Sequence, residues 1–248
     1  MKLYFEAFAM CQSMFCAIVF PIHCWNEKAR DKMLLFLPLV GLEIGFLWAF
    51  AGYLATLVAL PKSITAVVLT ALPFVLTGYI HLDGFMDVTD AIGSCRDLSK
   101  RREILKDPHV GSFAVIGCIL LMLIQFGCFL NVNSGFGVLL FLPAVSRCCS
   151  ALAITVLKPM STSQYACQKK TVSRCIILTA MLLCFSVAGF AIFGNYGFVL
   201  LGCILACAFS IIKAYRNLDG MNGDISGYAI TMGELSGVAV LAIIGGIL

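Results

Sequence analysis

Charge is what this sequence has least of. Asp, Glu, Lys and Arg make up 12% of its 248 residues and hydrophobic residues 61%, against about 25% and roughly 45–50% in ordinary soluble domains, so a soluble globular protein is excluded. No CxxC pair and no Cys/His ligand spacing occurs, which argues against a structural zinc site or a thioredoxin-like redox motif. Several of the thirteen Cys (Cys118, Cys128, Cys184, Cys203, Cys207) sit in apolar runs, where a thiol is small apolar filler in a reducing compartment. No repeat period, low-complexity linker or cleavable signal sequence is evident, so the sequence reads as one integral membrane domain over 1–248. The net charge of +4 is too small and too interrupted by Phe and Leu to suggest nucleic acid as a partner.

What is present is a series of apolar stretches at about 33–60, 63–80, 111–130, 135–157, 175–193, 197–212 and 227–247. With about 20 apolar residues needed per helical crossing, they predict an all-α polytopic bundle of about seven transmembrane spans. Residues 3–20 form a further apolar segment, interrupted by Glu6, that spans the membrane or lies in its interface. The connections alternate between short uncharged ones and charged ones at 24–32, 81–110, 158–174 and 213–226. On seven spans the charged ones share a side that carries fourteen Lys and Arg, among them Lys169 and Lys170, against Lys62 opposite. The positive-inside rule makes that side cytoplasmic. It also holds ten of the thirteen acids, so the expected chemistry faces the cytoplasm of a cell (inner) membrane protein.

The segment GYIHLDGFMDVTDAIGS carries Asp83, Asp87 and Asp90 at i, i+4 and i+7, which a helix places within about 60° of one another. Such a stripe persists either as a well-solvated helix end or because a cation neutralises it, and hard carboxylate oxygens suit Mg²⁺ or Mn²⁺. Arg96, Lys100, Arg101, Arg102 and Lys106 follow, interleaved with Glu103 and Asp107. Acids that hold a metal followed by cations that hold phosphate are equipment for phosphoryl transfer, although an ordinary positive-inside loop looks the same residue by residue. His81 is a proton carrier or a capping group. Further along, Gly220, Asn222, Gly223 and Asp224 form a turn before the last span, which offers Asp224 as a fourth carboxylate. Arg147, Glu234 and Glu43 lie inside apolar runs, where an isolated charge is costly, so each should be paired or functional.

The stretch HLDGFMDVTDAIGSCRDLSKRREILKDPHVGSFAVIG, together with PLVG at 38–41, Ser146–Arg147 and G-x-x-G-D followed by Glu234, resembles the signature of the cobalamin synthase family over nearly the whole chain. Where the family has Arg-Leu-Pro near its amino terminus this chain has Val19, Phe20 and Pro21, and Asn222 stands where the family has Thr. The resemblance implies transfer of the phosphoadenosylcobinamide moiety of adenosylcobinamide-GDP to α-ribazole or its 5′-phosphate, giving adenosylcobalamin or its 5′-phosphate and GMP, with Mg²⁺. It implies Asp83, Asp87, Asp90 and Asp224 as metal ligands, with His81 or an acid as proton acceptor. Substrate contacts would come from Arg96, Arg102, Lys106, Asp107, Arg147, Arg216 and Asn222. Two other readings of the residues remain open. A CDP-alcohol phosphotransferase also sets acids on membrane helices, but with a different acid spacing. An ion-coupled transporter would place its acids mid-span and show half-repeats.

Overall fold

The computed structural model describes residues 2–18, 24–161, 163 and 172–247; Val19–Pro21, Lys169 and Lys170 lie outside them. The described chain is helical: α1 (Lys2–Phe15), α2 (Glu27–Met33), α3 (Leu37–Leu57), α4 (Lys62–Leu76), α5 (Ile80–Gly93), α6 (Leu98–Ile104), α7 (Ser112–Asn131), α8 (Leu142–Val156), α9 (Val172–Phe193), α10 (Phe198–Leu218) and α11 (Gly223–Ile247). Short 3₁₀ segments, Phe136–Leu140 and Gly194–Gly197, lead into α8 and α10.

Among the described residues, five stretches are long and apolar enough to cross a membrane, and a bent pair would make six. The difference from seven expected spans has two causes. First, Val172–Leu218 is a single apolar stretch of 47 residues, yet its chain turns at Gly194, φ 57, so that the Phe190 and Phe198 rings meet edge to face at 5.2 Å. It supplies two helices of 22 and 21 residues. Second, the expected span at 63–80 stops at Leu76 after 15 residues and turns by 92° into α5. Gly78 and Tyr79 both take left-handed backbone angles there, φ 59 and 64. The Gly78 N–H bonds to the Val75 carbonyl at 3.0 Å and the Tyr79 N–H to the Phe74 carbonyl at 2.9 Å, the pair of bonds that closes a helix in a Schellman motif. The amino-terminal helix α1 has 14 residues, about 21 Å of rise, short of a hydrocarbon core of about 30 Å.

The middle of the bundle is α8, which buries twelve of its 15 residues. It packs against α3, α9, α10 and α11. Where α3 meets it, a Cβ on Gly41 would lie 2.8 Å from the Pro143 carbonyl carbon. Away from this centre, α7 and α9 turn Ile119, Leu123, Ile176 and Val187 outward, the apolar exposure that lipid accommodates. At one end of the bundle, Trp48 donates its indole N–H to the Leu69 carbonyl at 2.8 Å and meets Phe129 edge to face. At the other end, the segments that follow α8 and α10 are bonded to each other, Met160 N–H donating to the Met221 carbonyl and Met221 N–H to the Lys158 carbonyl, each at 2.9 Å. Those bonds anchor the turn that delivers α11.

Candidate active site

Helix α5 starts where the α4 turn aims it, with the Asp83 N–H bonded to the Tyr79 carbonyl at 2.9 Å. Leu82, Phe85 and Val88 are buried, which leaves Asp83 exposed and Asp87 and Asp90 half-buried on the other face. Helix α11 packs along α5, with Phe85 stacked on Tyr228 at 5.7 Å. Two glycines set how close the helices come. A Cβ on Gly84 would sit 2.8 Å from the Asp224 carbonyl oxygen, and one on Gly227 2.8 Å from that of His81, so no other residue fits without moving backbone. Residues far apart in sequence thereby share one locality. The Asp224 backbone lies against Gly84, the residue that follows Asp83, with Asp87 one turn further along α5.

Asn222 caps α11. Its Oδ1 accepts from the Ile225 N–H at 3.0 Å, and its Nδ2 donates to Asp224 Oδ2 at 2.6 Å. The amide therefore fixes one Asp224 oxygen and leaves the other available. Asp90 has a second engagement: its Oδ1 accepts from the Ala114 N–H at 3.4 Å, and its carboxylate occupies the space beside Gly111 where a side chain would be. Asp90 thus serves the first turn of α7 as an N-terminal cap from another helix.

Do these residues fit Mg²⁺? Among the described residues no three His, Cys, Asp or Glu side chains converge closely enough to enclose an ion. That excludes an all-protein cage as the side chains stand. Mg²⁺ usually keeps several waters and takes one or two carboxylates plus substrate phosphates, so it does not require such a cage. The donor set, carboxylates without Cys or His, is the chemistry that this ion prefers.

The cations divide by what they touch. Arg101 donates to Asn217 Oδ1 at 2.6 Å, and Arg102 donates to the Leu218 carbonyl at 3.0 Å and the Asp219 carbonyl at 2.7 Å. Both tie α6 to the end of α10, and Arg102 also pairs with the Asp219 carboxylate at 3.1 Å. Lys106 is exposed and lines a cavity of about 450 Å³ with Ser99, Arg102 and Asp107. Asp107 accepts from the His109 backbone N–H at 3.0 Å and from its ring at 2.7 Å, which holds its carboxyl below the usual range. Arg96 is exposed just beyond α5. Arg216 lies elsewhere, beside an apolar groove lined by Leu152, Val156 and Ile212 between α8 and α10.

Arg147 is 1% exposed and is engaged with Glu234 Oε1 at 2.7 Å, with the Pro143 carbonyl and with Ser146 Oγ. Glu234 also accepts from Ser146 at 2.8 Å. Glu43 finds a partner that spacing does not reveal, the Gln12 amide of α1 at 2.7 Å. His81 is 5% exposed, with its ring stacked on Phe15 at 5.9 Å.

Several known proteins are similar over almost the whole chain. An adenosylcobinamide-GDP ribazoletransferase of Clostridium perfringens (strain SM101 / Type A) is 34% identical over 98% of this chain and all of the relative. One of Clostridium botulinum (strain Alaska E43 / Type E3) is 34% identical over 96% and 97%, and one of Lachnoclostridium phytofermentans is 32% identical over 92% and 90%. No solved structure matches the chain. The family model described as cobalamin-5-phosphate synthase, CobS, matches residues 7–242. A helical membrane bundle whose HLDG segment packs against the G-x-x-G-D turn, matched over residues 7–242 by that model, belongs to the CobS family of cobalamin-5-phosphate synthases.

Proposed function

We infer that the chain is an adenosylcobinamide-GDP ribazoletransferase, completing the nucleotide loop of cobalamin by joining adenosylcobinamide-GDP to α-ribazole or its 5′-phosphate with release of GMP. The observation that carries this is the docking of α11 on α5 through Gly84 and Gly227, which holds the Asp224 backbone against Gly84, the neighbour of Asp83. Displacing GMP from a pyrophosphate builds negative charge on the transferred and leaving oxygens. Mg²⁺ held by one or two of Asp83, Asp87 and Asp224, together with substrate phosphate, would neutralise that charge. Asn222 orients Asp224, Asp90 fixes the start of α7 beside the cluster, and Arg96 and Lys106 meet phosphate oxygens from the polar side. His81 is buried behind Phe15, so an acid of α5 takes the acceptor hydroxyl proton. Arg102 and Arg147 serve the reaction by holding the frame.

The test is to incubate purified protein with adenosylcobinamide-GDP, α-ribazole and Mg²⁺. GMP and adenosylcobalamin are expected in equal amounts, with neither formed when a chelator removes the metal. Release of GMP at the same rate without α-ribazole would make the chain a hydrolase and reject the reading.

The same proposal places the acids on the cytoplasmic side of a cell membrane. A cysteine introduced at the exposed Ser99 should react with an impermeant thiol reagent from the cytoplasm, and one at the exposed Ser134 from outside. Cytoplasmic labelling of Ser134 contradicts that orientation.

A further inference from the structure

A cavity of about 490 Å³ lies between the end of α1 and the α4–α5 bend, with Ser13, Met14, Ala17, Gly78, Tyr79 and Asp83 in its lining. Its size falls within the range of about 300–1,000 Å³ usual for small-molecule sites, and it ends on a carboxylate of the cluster described above. Tyr79 stands out in two respects. It takes φ 64, a left-handed backbone conformation that bulky residues avoid. Tyr79 is also 55% exposed, within an exposed stretch, 78–80, that immediately precedes the buried His81 and Leu82.

Gly78 with φ 59 already permits the helix to end. The second left-handed residue lies at the 92° bend, and Tyr79 joins the cavity lining there. Both walls are fixed to the same turn, because the Ala17 N–H donates to the Leu76 carbonyl at 2.7 Å while the Tyr79 N–H is held by Phe74. A strained backbone that its surroundings over-determine, carrying an exposed aromatic residue in the lining of a cavity, is a prepared surface rather than a loose loop end. Aromatic rings displayed in this way take the π-face of a heterocycle and are tolerant of which heterocycle it is.

We propose that this cavity seats the flat heterocycle of a nucleoside substrate, stacked on the Tyr79 ring, with the attached sugar directed towards Asp83. The proposal rests on the ribazoletransferase reading, in which two substrates carry such a ring, the base of α-ribazole and the guanine of adenosylcobinamide-GDP. Steady-state GMP release decides it, with KM measured for each substrate while the other is saturating. Tyr79→Leu should raise KM for one of the two about tenfold, the order expected for loss of one base–aromatic stack, with a much smaller change in kcat. Tyr79→Phe should keep the wild-type KM. Ser13→Trp, which fills the cavity from α1 without touching the turn, should raise the same KM and carries the test if Tyr79→Leu does not fold. Tyr53→Leu, on α3 and lining a different cavity, should change neither.

The substrate whose KM rises identifies the seated base. Wild-type KM values for both substrates in Tyr79→Leu and Ser13→Trp would overturn the proposal. So would a fall in kcat with both KM values unchanged, the signature of a residue that only shapes the turn. Absence of GMP from the wild-type reaction would reject the ribazoletransferase reading itself, and the seat with it.

Discussion

Replacing Asp83 or Asp87 by Asn should lower turnover by orders of magnitude at fixed Mg²⁺ while leaving the protein folded and embedded in the membrane. Both side chains lie on the open face of α5, away from the packed face of Leu82, Phe85 and Val88, so Asn meets no steric objection. The charge is what changes. Asp83 and Asp87 stand one turn apart on α5, and an ion held by one or two carboxylates at a time has no spare ligand to lose. Asp90→Asn should do less harm, because an Asn oxygen still accepts from the Ala114 N–H and still caps α7. A graded series, severe at Asp83 and Asp87 and milder at Asp90, is measured by GMP release from equal amounts of reconstituted protein. Near-wild-type rates for Asp87→Asn would leave these acids as a solvated helix end and remove the metal from that position.

The second large effect concerns stability. Arg147 and Glu234 form a 2.7 Å pair in the middle of the bundle, 1% and 9% exposed, with Ser146 and the Pro143 carbonyl completing it. Removing one partner of a buried pair leaves an uncompensated charge and costs about 3–5 kcal/mol, whereas replacing both by apolar residues of similar volume is often neutral. Glu234→Gln should therefore lower the unfolding temperature in detergent markedly, and the Arg147→Met, Glu234→Leu double variant should recover most of the loss. That double variant also separates two roles of Arg147. If the guanidinium only holds α8 against α11, the double variant regains activity along with stability. Were it a substrate contact, the double variant would be stable and inactive.

Much of the site was legible in the sequence because it rests on local regularities. Helical spacing places Asp83, Asp87 and Asp90 on one face whatever surrounds them, and the Asn222–Gly223–Asp224 turn announces a helix start. What sequence could not show is which distant groups meet. The Arg147–Glu234 pair joins positions 87 apart, and the Gln12–Glu43 bond joins α1 to α3. Nor do basic residues in one loop differ on paper, yet Arg101 and Arg102 are engaged with the end of α10 while Lys106 stays exposed. The bend at Tyr79 was hidden for another reason: Gly78 signals that a helix can stop, but nothing in the composition asks a tyrosine to adopt a left-handed conformation. An apolar run from 63 to 80 therefore read as one straight span. The glycines that let α5 and α11 touch, Gly84 and Gly227, carried no signal of their own, since a glycine in a membrane helix is ordinary until the opposing backbone is known.

The most direct test of a single site built from the first and last parts of the bundle is a double-mutant cycle on Asp83 and Asp224, read as kcat for GMP release. Residues that act as one unit are grossly non-additive, so Asp83→Ala and Asp224→Ala should each remove activity almost completely, and the double variant should be little worse than either. Losses that multiply would contradict the shared site and make Asp224 a separate group acting on one substrate alone.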